Sequence, residues 1–183
     1  MKYLKIFIAL ISFAIITASC TTNNKAVVES SKSTEIEKVA ETLKWTNNFE
    51  KANTESQKTG KPIFAFFTGS DWCGWCKRLQ ATVFRKPEFI TWANKNVILL
   101  ELDFPRRTKL DPKIAQQNRQ LQQLFKVRGY PTIHIFNAKK NSKTGQMQIE
   151  QLGQLGYPQG ATKGKEQVKF IADANRVLAN KKK

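Results

Sequence analysis

Between Ile63 and Cys76 the chain runs five consecutive apolar residues, Ile63-Phe64-Ala65-Phe66-Phe67, then a short polar turn, then Trp72-Cys73-Gly74-Trp75-Cys76. A strand that is apolar at every position has no face to show to water, so it belongs at the centre of a sheet covered on both sides by helices. Two cysteines three positions apart, where such a strand gives way to a helix, have sulfurs close enough to bridge with little strain. They can cycle between dithiol and disulfide. The unpaired N–H groups and positive end of the helix favour the thiolate of the first cysteine. Cys73 is therefore expected to be the nucleophile, and Cys76, one turn inside the helix, the resolving thiol.

The rest of the chain supplies the partners of that strand. Lys44-Trp45 reads as the end of a first strand, and Asn47 or Asn48 caps a helix that carries Phe49 and Ala52 and stops near Gly60. After the cysteine helix, Phe84 to Pro87 interrupts the pattern and Pro87 begins a further helix to Asn94. Val97–Asp103 is a strand, and Phe104-Pro105-Arg106-Arg107 to Pro112 a basic loop. Ile114, Leu121, Leu124 and Phe125 fall on one face of a helix that ends by Gly129. Thr132–Phe136 and Met147–Leu152 are two more strands, joined by a polar hairpin connection over Asn137–Gly145. Lys165–Asn180 closes the chain as a helix expected to place Val168, Ile171, Ala172 and Leu178 on the sheet. The order of elements is compatible with several α/β sandwiches.

The motifs narrow it. Trp72-Cys73-Gly74-Trp75-Cys76, followed some fifty residues later by Tyr130-Pro131-Thr132, resembles the thioredoxin superfamily. Asp-Trp-Cys-x-x-Cys-Lys after an apolar strand is most similar to thioredoxin-like periplasmic lipoproteins and to the C-terminal domain of the thiol:disulfide interchange protein DsbD. The likeness covers roughly Leu43 to Leu178. It implies a thioredoxin fold, a central mixed β-sheet flanked by helices on both faces. It also implies a protein-disulfide oxidoreductase with no organic cofactor.

By the same resemblance Pro131 matches a cis-proline beside the active site, so Tyr130 and Pro131 are expected to contact client backbone. Trp72 occupies a family position, and Trp75 lies in the dipeptide that tunes redox poise. Both offer apolar faces to an approaching disulfide, Trp75 as an exposed side chain, and Gly74 leaves room for close approach. Lys77 reads as a solvated helix residue, and His134, between Ile133 and Ile135, as a satisfied or exposed strand histidine. A zinc site would need more ligands than Cys73 and Cys76, with only His134 and the distant Cys20 to supply them, so no metal is expected. The departure from the family is a missing acid. Where thioredoxins carry a buried Asp before the motif, this chain has Phe66 and Phe67, leaving water, Asp71, Glu101 or Asp103 to take the Cys76 proton. Resolution by Cys76 is expected to depend strongly on pH.

The N-terminus has its own logic. Lys2 and Lys5 give a positive start, Ile6–Ile16 an apolar stretch too short to span a bilayer, and Thr17-Ala18-Ser19 a small-residue cleavage region. Residues 1–19 are read as an export signal. With Cys20 the block resembles a bacterial lipobox, in which the cysteine becomes the lipidated first residue. Thr17 departs from the Leu that the family prefers. Lipidation of Cys20 also accounts for an odd total of three cysteines. Residues 20–42 are then a lipidated N-terminus and flexible polar tether, with a weak helical pattern over Glu35–Leu43, and residues 43–183 the folded domain.

The formal net charge is +17, or +15 (29 basic, 14 acidic) once Lys2 and Lys5 leave with the signal. Such a surface attracts anionic lipid headgroups, acidic glycans or acidic client proteins. The lysines are scattered, however, with a run only at Lys181–Lys183, which reads as a solvated surface. Export, and the lack of an aromatic-basic groove pattern, argue against nucleic acid. The expected protein is a lipid-anchored monomer on the periplasmic face of the cell envelope. It would reduce disulfides in client proteins with electrons from a membrane thiol-disulfide relay. A disulfide donor or isomerase, and a non-catalytic basic binding lipoprotein on the same scaffold, are the alternatives.

Overall fold

The computed structural model describes residues 42–141 and 143–180. The export signal, Cys20, the tether, most of the weak helical pattern at Glu35–Leu43 and the Lys181–Lys183 run lie outside them. In chain order the elements are β1 (Trp45–Thr46), α1 (Phe49–Thr59), β2 (Ile63–Thr68), α2 (Gly74–Leu79), α3 (Pro87–Asn96), β3 (Ile98–Asp103), α4 (Pro112–Leu124), β4 (Thr132–Lys140), β5 (Met147–Leu155) and α5 (Glu166–Ala179). Local chemistry sets several boundaries. Asn48 caps α1 by accepting from the Lys51 N–H, and Gly60 ends it in the left-handed region at φ 69°. Asp111 caps α4 ahead of Pro112.

The sheet runs β1-β3-β2-β4-β5. β2 and β1 lie parallel to β3, while β4 is antiparallel to both β2 and β5. β2 is central and buried at all six positions, as its unbroken apolar run requires. Its alternate residues feed two cores. Phe64 and Phe66 join Cys73, Cys76, Leu79, Phe84, Phe89 and Phe170 on one face. Ile63, Ala65 and Phe67 join Ala52, Leu121, Phe125 and Phe136 on the other.

Register brings four chain segments to one end of this sheet. Thr68 at the end of β2 lies opposite Asp103 at the end of β3. Phe67 pairs with Thr132 at the start of β4, and Ile133 with Leu155 at the end of β5. The Gly69–Cys73 turn, the loop after Asp103, the Tyr130-Pro131 bond and the Gly156-Tyr157 exit therefore meet there.

Three details differ from the sequence reading. The hairpin is longer: Asn137 to Lys140 pair with Glu150 to Met147, so the polar stretch up to Lys140 is ladder rather than connection. Exposed strand positions tolerate polar side chains because the backbone supplies the pairing. On α5 Phe170 and Ala174 are the buried core residues, with Gln167 buried beside them and Ile171 and Leu178 packed against the same core as expected, while Val168 is 56% exposed and Ala172 is exposed. Phe170 fixes the phase, its ring packing against Phe64, Phe84 and Phe89. On α4, Leu121 and the following Phe125 are buried but Leu124 is exposed; buried Asn118 takes the inward position and donates to the Asp103 carbonyl at 2.9 Å.

Candidate active site

The turn from β2 into α2 is closed by the Gly69 carbonyl, which accepts from the N–H groups of Trp72 (3.2 Å) and Cys73 (2.8 Å). Cys73 has extended backbone and occupies the N-cap of α2, its sulfur accepting from the Cys76 N–H at 3.1 Å. That is the position at which a helix stabilises negative charge on sulfur. Cys73 and Cys76 are joined in a disulfide with a Cα–Cα separation of 5.3 Å. Both are buried, and Trp75 between them is 53% exposed. Helical winding continues past Leu79 as a π-helical turn over Gln80–Phe84, which seats Val83 and Phe84 in the core behind the cysteines.

Two aromatic groups flank the disulfide. The Trp72 ring crowds Gly69, where an added Cβ would come within 2.4 Å of it, so a side chain there must push the ring aside. Its indole N–H donates to the Phe104 carbonyl at 2.8 Å, its ring meets Tyr130 edge-on at 5.7 Å, and the Arg106 guanidinium sits 3.8 Å above it. On the other side Trp75 meets Tyr157 edge-on at 5.1 Å, with the Arg78 guanidinium 5.3 and 5.5 Å from the two rings. Gly74, exposed at the first turn of α2, has open space around its Cα.

The Tyr130–Pro131 peptide is cis. Tyr130 is half-buried, with its hydroxyl accepting from Gln122 at 2.7 Å and its ring stacked on Phe104. The Tyr130 side chain is thus committed to packing. What this corner can present to a client is the Pro131 ring and backbone.

The three acids weighed for the Cys76 proton occupy different environments. Asp71 is spent on the basic loop: its carboxylate accepts from the N–H groups of Arg106, Arg107 and Thr108. Those bonds, led by the Arg106 and Arg107 amides, hold its carboxyl below the usual value. Asp103 accepts from the Ser70 N–H and hydroxyl. Glu101 pairs with Phe66 across the β2–β3 ladder. It lines a cavity of about 270 Å³ with Phe66, Gln80, Phe84 and Arg85. Desolvation, then the nearby Asp103 charge, raises its carboxyl above the ordinary range.

His134 is buried at 3% exposure, stacked on Phe125 and edge-on to Phe67. Neither ring nitrogen has a hydrogen-bond partner, which corrects the expectation of a satisfied or exposed side chain. It belongs to the sheet face opposite Cys73, apart from the site. Among the described residues no group of three or more His, Cys, Asp or Glu is arranged to hold a metal ion.

The sequence reading missed Arg78, Arg106, Phe104 and Tyr157 as parts of this site. Each reaches it through a contact between segments distant in sequence or through a stack on a tryptophan, and a linear pattern carries no signal for that.

Residues 44–138 match the family model described as Thioredoxin-like. The chain belongs to that family, and with a bridged Cys73–Cys76 pair at the head of α2 it is a thiol-disulfide oxidoreductase of thioredoxin type. Among particular proteins it is similar to the Disulfide bond reductase DsbH of Chlamydia pneumoniae, 31% identical over 121 residues that make up 66% of this chain and 67% of that one. It is similar also to the Thioredoxin-related protein DsbJ of the same organism, 24% identical over 125 residues, 68% of this chain but only 34% of that longer protein. A solved structure of a DsbH oxidoreductase superposes with a TM-score of 0.63 at 27% identity, covering 78% of this chain and 89% of the other. A thioredoxin from Thermus thermophilus, at 17% identity and a TM-score of 0.50, shares the fold.

Proposed function

We propose that this protein reduces disulfides in client proteins of the cell envelope. The observation that carries the reading is the Cys73–Cys76 pair at the N-cap of α2, beside an exposed Trp75 and the cis Tyr130–Pro131 bond. The Cys73 thiolate attacks one sulfur of a client disulfide. The client bond breaks, one client cysteine leaves as thiolate and takes a proton, and Cys73 is held in a mixed disulfide. Cys76 then loses its proton, attacks Cys73 and releases the second client thiol. Two electrons have passed to the client, and the Cys73–Cys76 disulfide remains to be reduced by a membrane thiol-disulfide relay. Trp72, Gly74, Trp75, Tyr130 and Pro131 form the client platform, Tyr130 through its backbone.

The reducing direction is supported by the name of the DsbH relative, a disulfide bond reductase. The envelope location rests on the signal-like residues 1–19 and on Cys20 as a lipid attachment point. No helix among the described residues is long and apolar enough to cross a membrane. Three measurements test the reading. The full chain should reduce insulin in the presence of a thiol donor, and Cys73→Ser should abolish this; equal activity overturns it. The reduction potential should fall near thioredoxin's, about −270 mV, and a value near DsbA's, about −120 mV, would assign the protein as a disulfide donor instead. Cys20→Ser should move the protein from the membrane fraction to the soluble one.

A further inference from the structure

Both tryptophans that flank the disulfide carry a guanidinium on their faces. Arg106 lies 3.8 Å from the Trp72 ring, and Arg78 lies over Trp75 and Tyr157 at 5.3 and 5.5 Å. Both arginines are exposed. Neither is ion-paired: the two ion pairs among the described residues both belong to Asp173 on α5. Asp71, the acid nearest Arg106 in the loop's bonding, is turned onto the backbone amides of residues 106–108 and so pins the loop in place. Lys77, Arg107 and Lys109 are exposed in the same two segments.

A guanidinium held over an aromatic face by cation–π attraction keeps N–H donors free for the planar fork that matches a carboxylate. The 3.8 Å approach of Arg106 to Trp72 also holds it in position before a partner arrives, which lowers the ordering cost of binding, and Arg78 sits near two rings, Trp75 and Tyr157, at 5.3 and 5.5 Å. Two such forks, one beside each tryptophan of the motif, make a feature that the scattered lysines of the surface do not.

We propose that Arg78 and Arg106 are specificity residues that receive Asp and Glu side chains flanking a client disulfide, so that the preferred clients are acidic around their cystines. The inference rests on the thiol-disulfide exchange reading above. It does not depend on the net direction of electron flow, because capture by Cys73 is common to both.

Capture kinetics test it. In full-length Cys76→Ser, Cys73 attacks a peptide disulfide, one peptide sulfur leaves as thiolate, and the mixed disulfide accumulates unresolved. Three peptides with the same cyclic disulfide core and flanks of Asp/Glu, Ser/Gln or Lys are compared. At low salt the acidic peptide should be captured about tenfold faster than the neutral one and the basic peptide slower still. The ratio should shrink above physiological ionic strength, where the screening length drops below about 8 Å. Adding Arg78→Gln and Arg106→Gln together should bring the acidic-to-neutral ratio close to one. If the neutral peptide is captured but the acidic one no faster, or if the double substitution slows both peptides by the same factor, the inference fails and the exchange reading stands. If no peptide is captured, the exchange reading itself fails. Pelleting with anionic phospholipid vesicles that the Arg78→Gln and Arg106→Gln pair abolishes, with no peptide preference, would assign the two forks to a lipid surface and overturn the proposal.

Discussion

Gly69 and His134 show how far single positions control this molecule. Gly69 gives up its side chain so that the Trp72 ring can come within 2.4 Å of where a Cβ would be. Gly69→Ala must displace a ring already fixed by its bond to the Phe104 carbonyl. Overpacking of this kind costs about 1–3 kcal/mol. We expect that loss in denaturant melts, together with a changed tryptophan emission spectrum; a melt and spectrum identical to wild type would show that the ring is free to move. His134 buries two ring nitrogens without partners, and desolvation lowers its readiness to take a proton. The unfolded chain binds that proton below about pH 6.5 while the folded chain still refuses it. Stability must therefore fall as pH drops from there toward the lowered folded value. His134→Leu should flatten the dependence across this window, and an unchanged slope would exclude His134 as its source. Asp71 acts lower down: its depressed carboxyl adds stability above the ordinary carboxylate range, lost as pH falls through its folded value.

Among the elements, the loop between β3 and α4 owes its shape to one carboxylate. Asp71→Ala removes the acceptor for three consecutive amides, Arg106 to Thr108. Hydrogen exchange at those amides should accelerate by an order of magnitude or more while the β2 amides keep their protection. Equal protection in the variant would mean that the loop is held by its own packing. Such cross-segment bonds mark the limit of what the sequence made legible. β2 was readable because five apolar residues in a row admit only a central strand, and α2 because the cysteine spacing and the strand before it agree. The phase of α5 was only half readable: Ile171 and Leu178 do pack against the core, but Val168 and Ala172 face out, because the ring contacts with Phe64, Phe84 and Phe89 seat Phe170 at the centre of the buried face. The hairpin was under-read for a related reason, since Asn137, Lys139 and Lys140 hold ladder positions through backbone pairing that their polar side chains do not announce. At the site the cysteines were legible, and the arginines placed over their neighbouring tryptophans were not.

On the scale of the whole molecule, charge and redox chemistry are coupled at one end of the sheet. A chain with a formal charge of +17, and two ion pairs among its described residues, repels itself more than salt-labile contacts hold it together. Its melting temperature should rise by a few degrees as salt increases from low to about physiological strength; a fall would point to stabilising ion pairs on the surface. Against that positive background, register delivers the β2–α2 turn, the cis Tyr130–Pro131 bond, the loop after β3 and the exit from β5 to a single place. On the proposed mechanism the N-cap of α2 separates the roles of two otherwise similar sulfurs. The most direct test is to reduce the full-length protein, treat it with iodoacetamide at pH 7 and follow alkylation of each cysteine by peptide mass spectrometry. Cys73 should be modified at least about tenfold faster than Cys76; equal rates, or faster modification of Cys76, would contradict a nucleophile created at the mouth of that helix.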